Sequence, residues 1–340
     1  RTPDQKGHRR QLPKEEMKQM NTESSLFREI TPEDMKRITS RHLNTRDIRE
    51  ARLMEGGLFN TTYQLICGPD NKKVILRLGP VNRHLLLGFE EHLMEAEAHV
   101  YELFESHDIP CPRILVTDTS HSLLGRDFML TEYWDSTVLL KAGLPEEEKK
   151  SLHKEAGRLA AVMHSITSRQ FGCIYDCMHD RGFTSWYAFL HHYVSDILER
   201  SVNHNAFTRQ EADAILSLFS ENKPLFDKIT LPCLVHTDLW EGNLLLKMNK
   251  DSWSLAAIID GDRAIWGDPD FEMASGWMIT DSFLEGYQID KAAYLSPERT
   301  ERRKYYNLVY DLIDTYVGKA EYNQAEQYKN GYNRVLHYLF

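Results

Sequence analysis

Two short runs carry most of the chemistry that this 340-residue chain could perform. In His236-Thr237-Asp238-Leu239-Trp240-Glu241-Gly242-Asn243 a carboxylate stands two residues after a histidine, and an amide follows five residues later. In Ile258-Ile259-Asp260-Gly261-Asp262 an acidic pair closes an apolar stretch. A carboxylate can accept the proton of a hydroxyl, and an amide oxygen together with a second carboxylate forms a hard donor set for a divalent cation. Transfer of a phosphoryl group to a hydroxyl asks for little more than such a base, a cation on the phosphates and a positive group beside them. Asp238 is the candidate base, and Asn243 and Asp260 are candidate Mg2+ ligands.

Those residues have to be presented by defined elements. A short apolar stretch, 231–235, leads into the first run. A hairpin is expected behind it, with strands at 244–247 and 253–259 around a polar turn at 249–252. Upstream, 48–54, 61–67, 73–78, 114–117 and 128–133 read as strands of a sheet of about five. Thr31, Pro32, Glu33 and Asp34 form a helix start running to about residue 43, and 89–106 has apolar residues at helical spacing. From Trp134 onward the pattern turns helical, at 145–166, 185–200, 209–222 and 283–340. A β-rich part followed by a larger α-rich part predicts an α+β, two-lobed fold. The expected division is a tail at 1–24, an N-lobe at 25–132 that clamps a nucleotide, and a C-lobe at 133–340.

Gly56-Gly57-Leu58-Phe59-Asn60-Thr61 falls between two strands, where glycines let backbone amides approach phosphate oxygens. Gly57 and Asn60 are therefore nucleotide-site candidates. Arg77 puts a cation on the following strand, and Glu91, Glu95 and Glu97 on the next helix compete to hold it. Glu132 and Tyr133 end the last strand, where main-chain groups and an apolar slot would suit a purine ring. Tyr133 and Trp134 could equally be core between the lobes.

Composition sets outer bounds. With 41% hydrophobic and 27% charged residues and a net charge of −10, the chain suits a globular protein and lacks the charge for a broad nucleic-acid or membrane surface. No apolar run approaches the ~18–20 residues of a membrane-spanning helix. Five cysteines are scattered; Cys173 and Cys177 with His179 could be a metal cluster, but reduced thiols are the expectation. A cytoplasmic monomer or homodimer follows as the expected state.

The pieces in this order resemble the aminoglycoside phosphotransferase and choline kinase-like family, the small-molecule branch of the protein-kinase-like fold. The resemblance runs from about Gly56 to Glu272. It is carried by the glycine turn, Val74-Ile75-Leu76-Arg77-Leu78, Glu97 ahead of Ile109-Pro110-Cys111-Pro112, the two runs above, and Trp266-Gly267-Asp268-Pro269-Asp270-Phe271-Glu272. His236-Thr237-Asp238-Leu239-Trp240 is also similar to the matching motif of fructosamine kinases. The resemblance implies a protein-kinase-like fold, ATP or GTP as co-substrate with Mg2+, and Glu97 as the partner of Arg77. It implies Asp238 as base, Asn243 and Asp260 on the metal, and Asp262 beside them. His236 would brace the loop, and Asp268 would be a buried acid tying down the loop and the helix behind the site. Many members carry Lys where this chain has Arg77, a planar fork in place of a compact ammonium.

The acceptor is left open among antibiotic, sugar, amino alcohol and natural-product intermediate. In the family it lies against the α-rich lobe, where this chain has Asp176, Asp180, Trp186, Tyr187, His191, His192, Tyr193, Asp196, Trp277, Asp281, Glu285 and Tyr287. Acids and aromatics together would suit an amine-bearing compound. Two alternatives stand beside the kinase reading: a pseudokinase that binds nucleotide with little turnover, and nucleotidyl transfer on the same fold.

Overall fold

The computed structural model describes residues 24–54, 57–250 and 252–339. Helix α1 (Pro32–His42) begins as its sequence dictates: the Thr31 side chain accepts the Asp34 N–H, and Pro32 occupies the first turn. Strands β1 (Ile48–Leu53), β2 (Thr61–Cys67), β3 (Lys72–Leu78), β4 (Ile114–Asp118) and β5 (Phe128–Glu132) form an antiparallel sheet in the order β1-β2-β3-β5-β4. Alternation along β3 buries Val74, Leu76 and Leu78 with Met35 and Ile38 of α1. The two-residue period therefore leaves Arg77 on the opposite face, toward helix α2 (Leu93–Ser106).

The single helix expected over 89–106 is interrupted. Gly88–Glu90 forms a separate 3-10 turn, and the α-helix starts only at Leu93. The cause is local: the Glu90 carboxylate turns back to accept the Leu87 N–H at 2.9 Å.

Beyond β5 the chain is mostly helical. It runs through β6 (Thr137–Val138), α3 (Glu146–Ser165), β7 (Gly172–Cys173), α4 (Trp186–Asn203), α5 (Arg209–Glu221) and β8 (Cys233–Val235). The hairpin β9 (Leu244–Asn249) and β10 (Ser252–Ile258) follows, then β11 (Ile265–Gly267), α6 (Pro269–Ala274), α7 (Asp281–Tyr287), α8 (Pro297–Tyr316) and α9 (Ala325–Leu336). β6 pairs with β9, and the short β7, β11 and β8 make a third small sheet. This is the α+β, kinase-like layout. The expected helical stretch 283–340 is divided into α7, a short helix at Lys291–Tyr294, α8 and α9, with a π-helical turn at Val317–Glu321 after α8. No helix among the described residues is long and apolar enough to cross a membrane.

Helices α3 and α7 cross at their glycines. A Cβ on Gly157 would stand 2.1 Å from the Phe283 carbonyl oxygen, and one on Gly286 would stand 1.8 Å from that of Lys154. Backbone meets backbone there, so neither position has room for a methyl group. Gly286→Ala should destabilise the protein by ~1–3 kcal/mol, the usual cost of overpacking. A melting temperature unchanged from wild type would mean that the two backbones are not in contact at this crossing.

Candidate active site

The loop between β8 and β9 carries the first run. His236 is fully buried; its Nε2 donates to the Ile259 carbonyl at 3.0 Å, and its Nδ1 accepts the Asp238 N–H at 3.3 Å. One ring thus ties the loop to the strand end that precedes Asp260. Asn243 Nδ2 donates to the Asp238 carbonyl at 2.8 Å and to Asp238 Oδ2 at 3.0 Å. The Asn243 amide is held through its nitrogen, so its oxygen is the atom left for a cation. Ile259 N–H donates to the Asn243 carbonyl at 3.0 Å, which sets Asn243 next to Asp260. Thr237 and Asp260 both adopt left-handed backbone angles, with φ of 68° and 59°. For a β-branched residue such as Thr237 that conformation is strained and must be imposed by its surroundings.

Arg77 reaches three carboxylates. One arm pairs with Glu97 Oε1, and the other lies 3.1 Å from Asp260 Oδ1 and 3.6 Å from Asp262 Oδ2. Glu95 is committed elsewhere, to Thr119 at 2.8 Å and His92 at 3.0 Å, and Glu91 pairs with Arg200 at 3.2 Å. Tyr101 Oη donates to Glu97 at 2.7 Å and accepts the Asp260 N–H at 3.2 Å, bridging α2 to the metal-ligand candidate. Burial works against the Arg77 charge, but the Glu97, Asp260 and Asp262 carboxylates outweigh it and raise its pKa well above the ordinary value. Burial and the Glu97 charge together push the Asp262 carboxyl upward, against the pull of Arg77.

The sequence profile of the phosphotransferase enzyme family APH matches residues 50–305. The chain belongs to this family. It is a phosphotransferase. No curated protein matches the chain in sequence. Among solved structures, a provisionally assigned fructosamine-3-kinase from Thermobifida fusca YX-ER1 is 17% identical with a TM-score of 0.61, over 88% of this chain and 97% of that one. A thermostable mutant of aminoglycoside phosphotransferase APH(4)-Ia, in ternary complex with ADP and hygromycin B, is 15% identical with a TM-score of 0.59, over 88% and 95%. The GDP and kanamycin complex of APH(2")-IIia is 13% identical with a TM-score of 0.60, over 88% and 96%. At these identities the likeness is one of fold.

Gly57 needs to be glycine, because a Cβ there would meet the Asn60 carbonyl oxygen at 2.5 Å. Gly56 lies outside the described residues. Phe59, in the same turn, packs against the Arg263 guanidinium at 5.3 Å, so the turn reaches across to the residue after Asp262. Glu132 pairs with Arg113 at 3.5 Å, and Lys73 lies 5.1 Å above the Tyr133 ring. The Cys173, Cys177 and His179 metal reading fails: the thiols are free, and no cluster of three or more His, Cys, Asp or Glu among the described residues could hold a metal. Trp186 is fully buried and donates to Tyr306 Oη at 2.8 Å, so it is core and cannot face an acceptor.

Asp268 ties the helices. It caps α6 by accepting the Asp270 N–H at 3.0 Å, and it also accepts from Arg302 at 2.8 Å and Tyr306 at 2.7 Å. The loop itself is held by Glu272, which the sequence reading did not single out. Its Oε2 accepts the His236 N–H at 2.7 Å and the Thr237 N–H at 3.1 Å, and its Oε1 accepts that of Leu239 at 3.2 Å. Its position in the first turns of a capped helix was the available signal. Arg263, Glu90 and Tyr101 were missed as well, since ordinary helix and loop residues carry no motif.

Burial would raise the Glu272 carboxyl, yet His164, His236 and the Leu239 N–H bring it below its ordinary 4.5. Glu272→Ala leaves three buried N–H donors unpaired and should cost at least ~3 kcal/mol, with loss of turnover. Glu272→Gln should destabilise less. A group whose folded pKa is depressed stabilises fully above its unfolded value, so the melting-temperature gap between wild type and Glu272→Gln should be full above pH 4.5. It should close as the pH falls through the lower folded value. A gap independent of pH would show that the carboxylate charge does not hold the loop.

Proposed function

We propose that this phosphotransferase moves the γ-phosphoryl group of ATP or GTP to a hydroxyl of a small acceptor. The observation that carries the reading is the convergence of Asp238 and Asn243 from one loop, Asp260 from the end of β10 and Arg77 from β3 on one site. Asp238 would act as base. A bond forms between the acceptor oxygen and phosphorus, the bridging bond to the β-phosphate breaks, the nucleoside diphosphate leaves with that electron pair, and the proton passes to Asp238. Asn243 orients this carboxylate by holding Oδ2.

The donor set suits Mg2+, which takes one or two protein oxygens and completes its shell with phosphates and water. The Asn243 amide oxygen and the Asp260 carboxylate would hold it, with Asp262 beside them. When bound, the ion would neutralise charge on the β- and γ-phosphates. Arg77 would meet the phosphates while Glu97 keeps it in line, and Gly57 and Asn60 would cover them with backbone amides. Glu132 and Tyr133 would edge the purine slot. ADP in one neighbour complex and GDP in another leave both nucleotides open for this chain. His236 and Asp268 would act only through the backbone they brace.

Asp238→Ala should lower the transfer rate by roughly 10²- to 10⁴-fold, the usual share of a general base. Nucleotide affinity by calorimetry should stay within about threefold, because the residue touches no phosphate. Turnover within tenfold of wild type would sink the assignment. Arg77→Ala strands Glu97, which is 1% exposed, beside an unanswered negative site, so stability should fall by ~3–5 kcal/mol together with Mg-ATP affinity. Arg77→Lys restores a charge without the fork and should recover most affinity and only part of the stability. Wild-type behaviour of Arg77→Ala would make this side chain a solvated strand charge.

A further inference from the structure

A carboxylate withdrawn from water needs donors at its oxygens, and one acid of this chain has been given none. Glu321 closes the π-helical turn after α8 and is 0% exposed. Neither of its carboxyl oxygens meets a hydrogen-bond donor among the described residues. Within hydrogen-bond reach of it lies a second carboxyl, that of Glu90. Two carboxylates in such contact repel, and burial removes the water that would screen them, so the pair is stable with one proton held between them. Glu90 is the member that keeps the charge: its Oε2 accepts the Leu87 N–H at 2.9 Å, and its Oε1 accepts from Arg263 at 2.6 Å. Donated hydrogen bonds favour the ionised form, and Glu321 receives none, so the proton belongs on Glu321. Burial and the Glu90 charge accordingly raise the Glu321 carboxyl well above its ordinary value, with Arg263 pulling the other way.

This pair stands behind the nucleotide side of the site. The Arg263 guanidinium lies 5.3 Å from the Phe59 ring of the glycine turn and 5.6 Å from that of Phe89. The Arg263 carbonyl accepts from Thr237 Oγ1 at 3.0 Å, one residue before Asp238. Glu321 reaches the same glycine turn through its backbone. Its carbonyl accepts the Ser25 N–H at 2.8 Å, and the neighbouring Ser24 Oγ donates to the Leu58 carbonyl at 2.7 Å. Leu26 and Phe59 share one small apolar cluster beside it. Three phenols face these charges: Tyr316 of α8 feels Glu321, Tyr193 of α4 feels Glu90 and Arg263, and Tyr322 acts on Arg263. Burial pushes the Tyr316 and Tyr193 hydroxyls up, so both stay neutral.

We propose that Glu321 is a positioning residue for the nucleotide: as a neutral carboxyl it donates to Glu90, which holds Arg263 against Phe59 and so fixes the glycine turn over the phosphates. This rests on the phosphotransferase reading above, in which that turn covers the phosphates. No step of the transfer passes through Glu321.

Two substitutions separate a donor from a filler. Glu321→Gln keeps the size and an N–H donor without a titrating proton, and Glu321→Met keeps the volume with no donor. By calorimetry, Glu321→Gln should bind Mg-ATP within about threefold of wild type, and Glu321→Met should bind it about tenfold more weakly, the scale of one hydrogen bond to a charged group. In both, kcat should stay within about threefold, because neither change touches the base. Melting temperature against pH is the second readout. A carboxyl raised in the folded state stabilises fully below its unfolded value and loses that stabilisation as the pH rises toward the folded one. The lead of Glu321→Gln over wild type should therefore be smallest below pH 4.5 and widen as the pH rises above it. Asp262 and Glu272 are present in both proteins and drop out of the difference. A lead that does not widen, Glu321→Met binding Mg-ATP as tightly as wild type, or Glu321→Gln binding as weakly as Glu321→Met overturns the proposal while the site reading stands. A wild type that binds no Mg-ATP overturns the site reading and the proposal with it.

Discussion

Everything at the centre of this molecule is organised by a guanidinium that has been taken out of water and set among three carboxylates. Arg77 comes from a sheet strand, Glu97 from helix α2, and Asp260 and Asp262 from the end of the β9–β10 hairpin. Withdrawing Arg77 and Glu97 from solvent costs several kcal/mol per ion, so the arrangement holds only if each finds its partner with good geometry. A planar fork can meet carboxylates on two sides at once, which a single ammonium cannot do. One cation against three acids still leaves negative charge in excess, and the raised Asp262 carboxyl reports that crowding. The site is therefore predisposed to further positive charge, the property needed where phosphates arrive with a metal. The same residues that join sheet, helix and hairpin also define the electrostatics between them.

A second layer fixes the loop that bears Asp238. It works through backbone, and Glu272 is its centre: a carboxylate 3% exposed that accepts three consecutive-turn N–H groups. Thr237 is held in its strained left-handed geometry from two further sides. Its Oγ1 donates to the Arg263 carbonyl at 3.0 Å, and its own carbonyl accepts from Tyr310 at 3.0 Å. Behind this layer, Arg299, Arg302 and Arg303 of α8 all converge on Asp270, which is 1% exposed. Charge is thus passed outward in steps, from the loop backbone to Glu272, and from the start of α6 to the arginines of α8. Each step satisfies polar groups that the one before it left buried.

How much of this was legible in the sequence depends on whether a residue acts through its spacing or through its neighbours. Asp238, Asn243 and Asp260 could be picked out by their spacing, and in the structure Asn243 bonds Asp238 and lies beside Asp260. The strands of the sheet were legible because β2 and β3 alternate with period two, and α1 because Thr31 and Pro32 mark its start. The break before α2 was not, because Glu90 chooses a local bond to Leu87 over continuing the helix. Choosing among Glu91, Glu95 and Glu97 needed the family resemblance. In the structure the other two are taken by Arg200, His92 and Thr119, partners that no spacing rule specifies. Glu272 escaped because its importance lies in three backbone donors more than thirty residues upstream. Asp268, one turn earlier and inside a recognisable Gly-Asp-Pro, drew the attention instead.

The two sides of the cleft differ in the same way. Nucleotide chemistry is constant, so it can be written in charged side chains at fixed separations, as in the two runs that hold Asp238 and Asp260. Acceptor chemistry varies, and a pocket can change its preference by exposing or covering one ring without disturbing the layers beneath. The loop between α6 and α7 lies at the surface, whereas Tyr310 beside it is tied to the loop that bears Asp238. Specificity placed there can drift without loosening the carboxylates and amides that hold Asp238, which is why the family's reaction is readable from this chain and its acceptor has to be argued from packing.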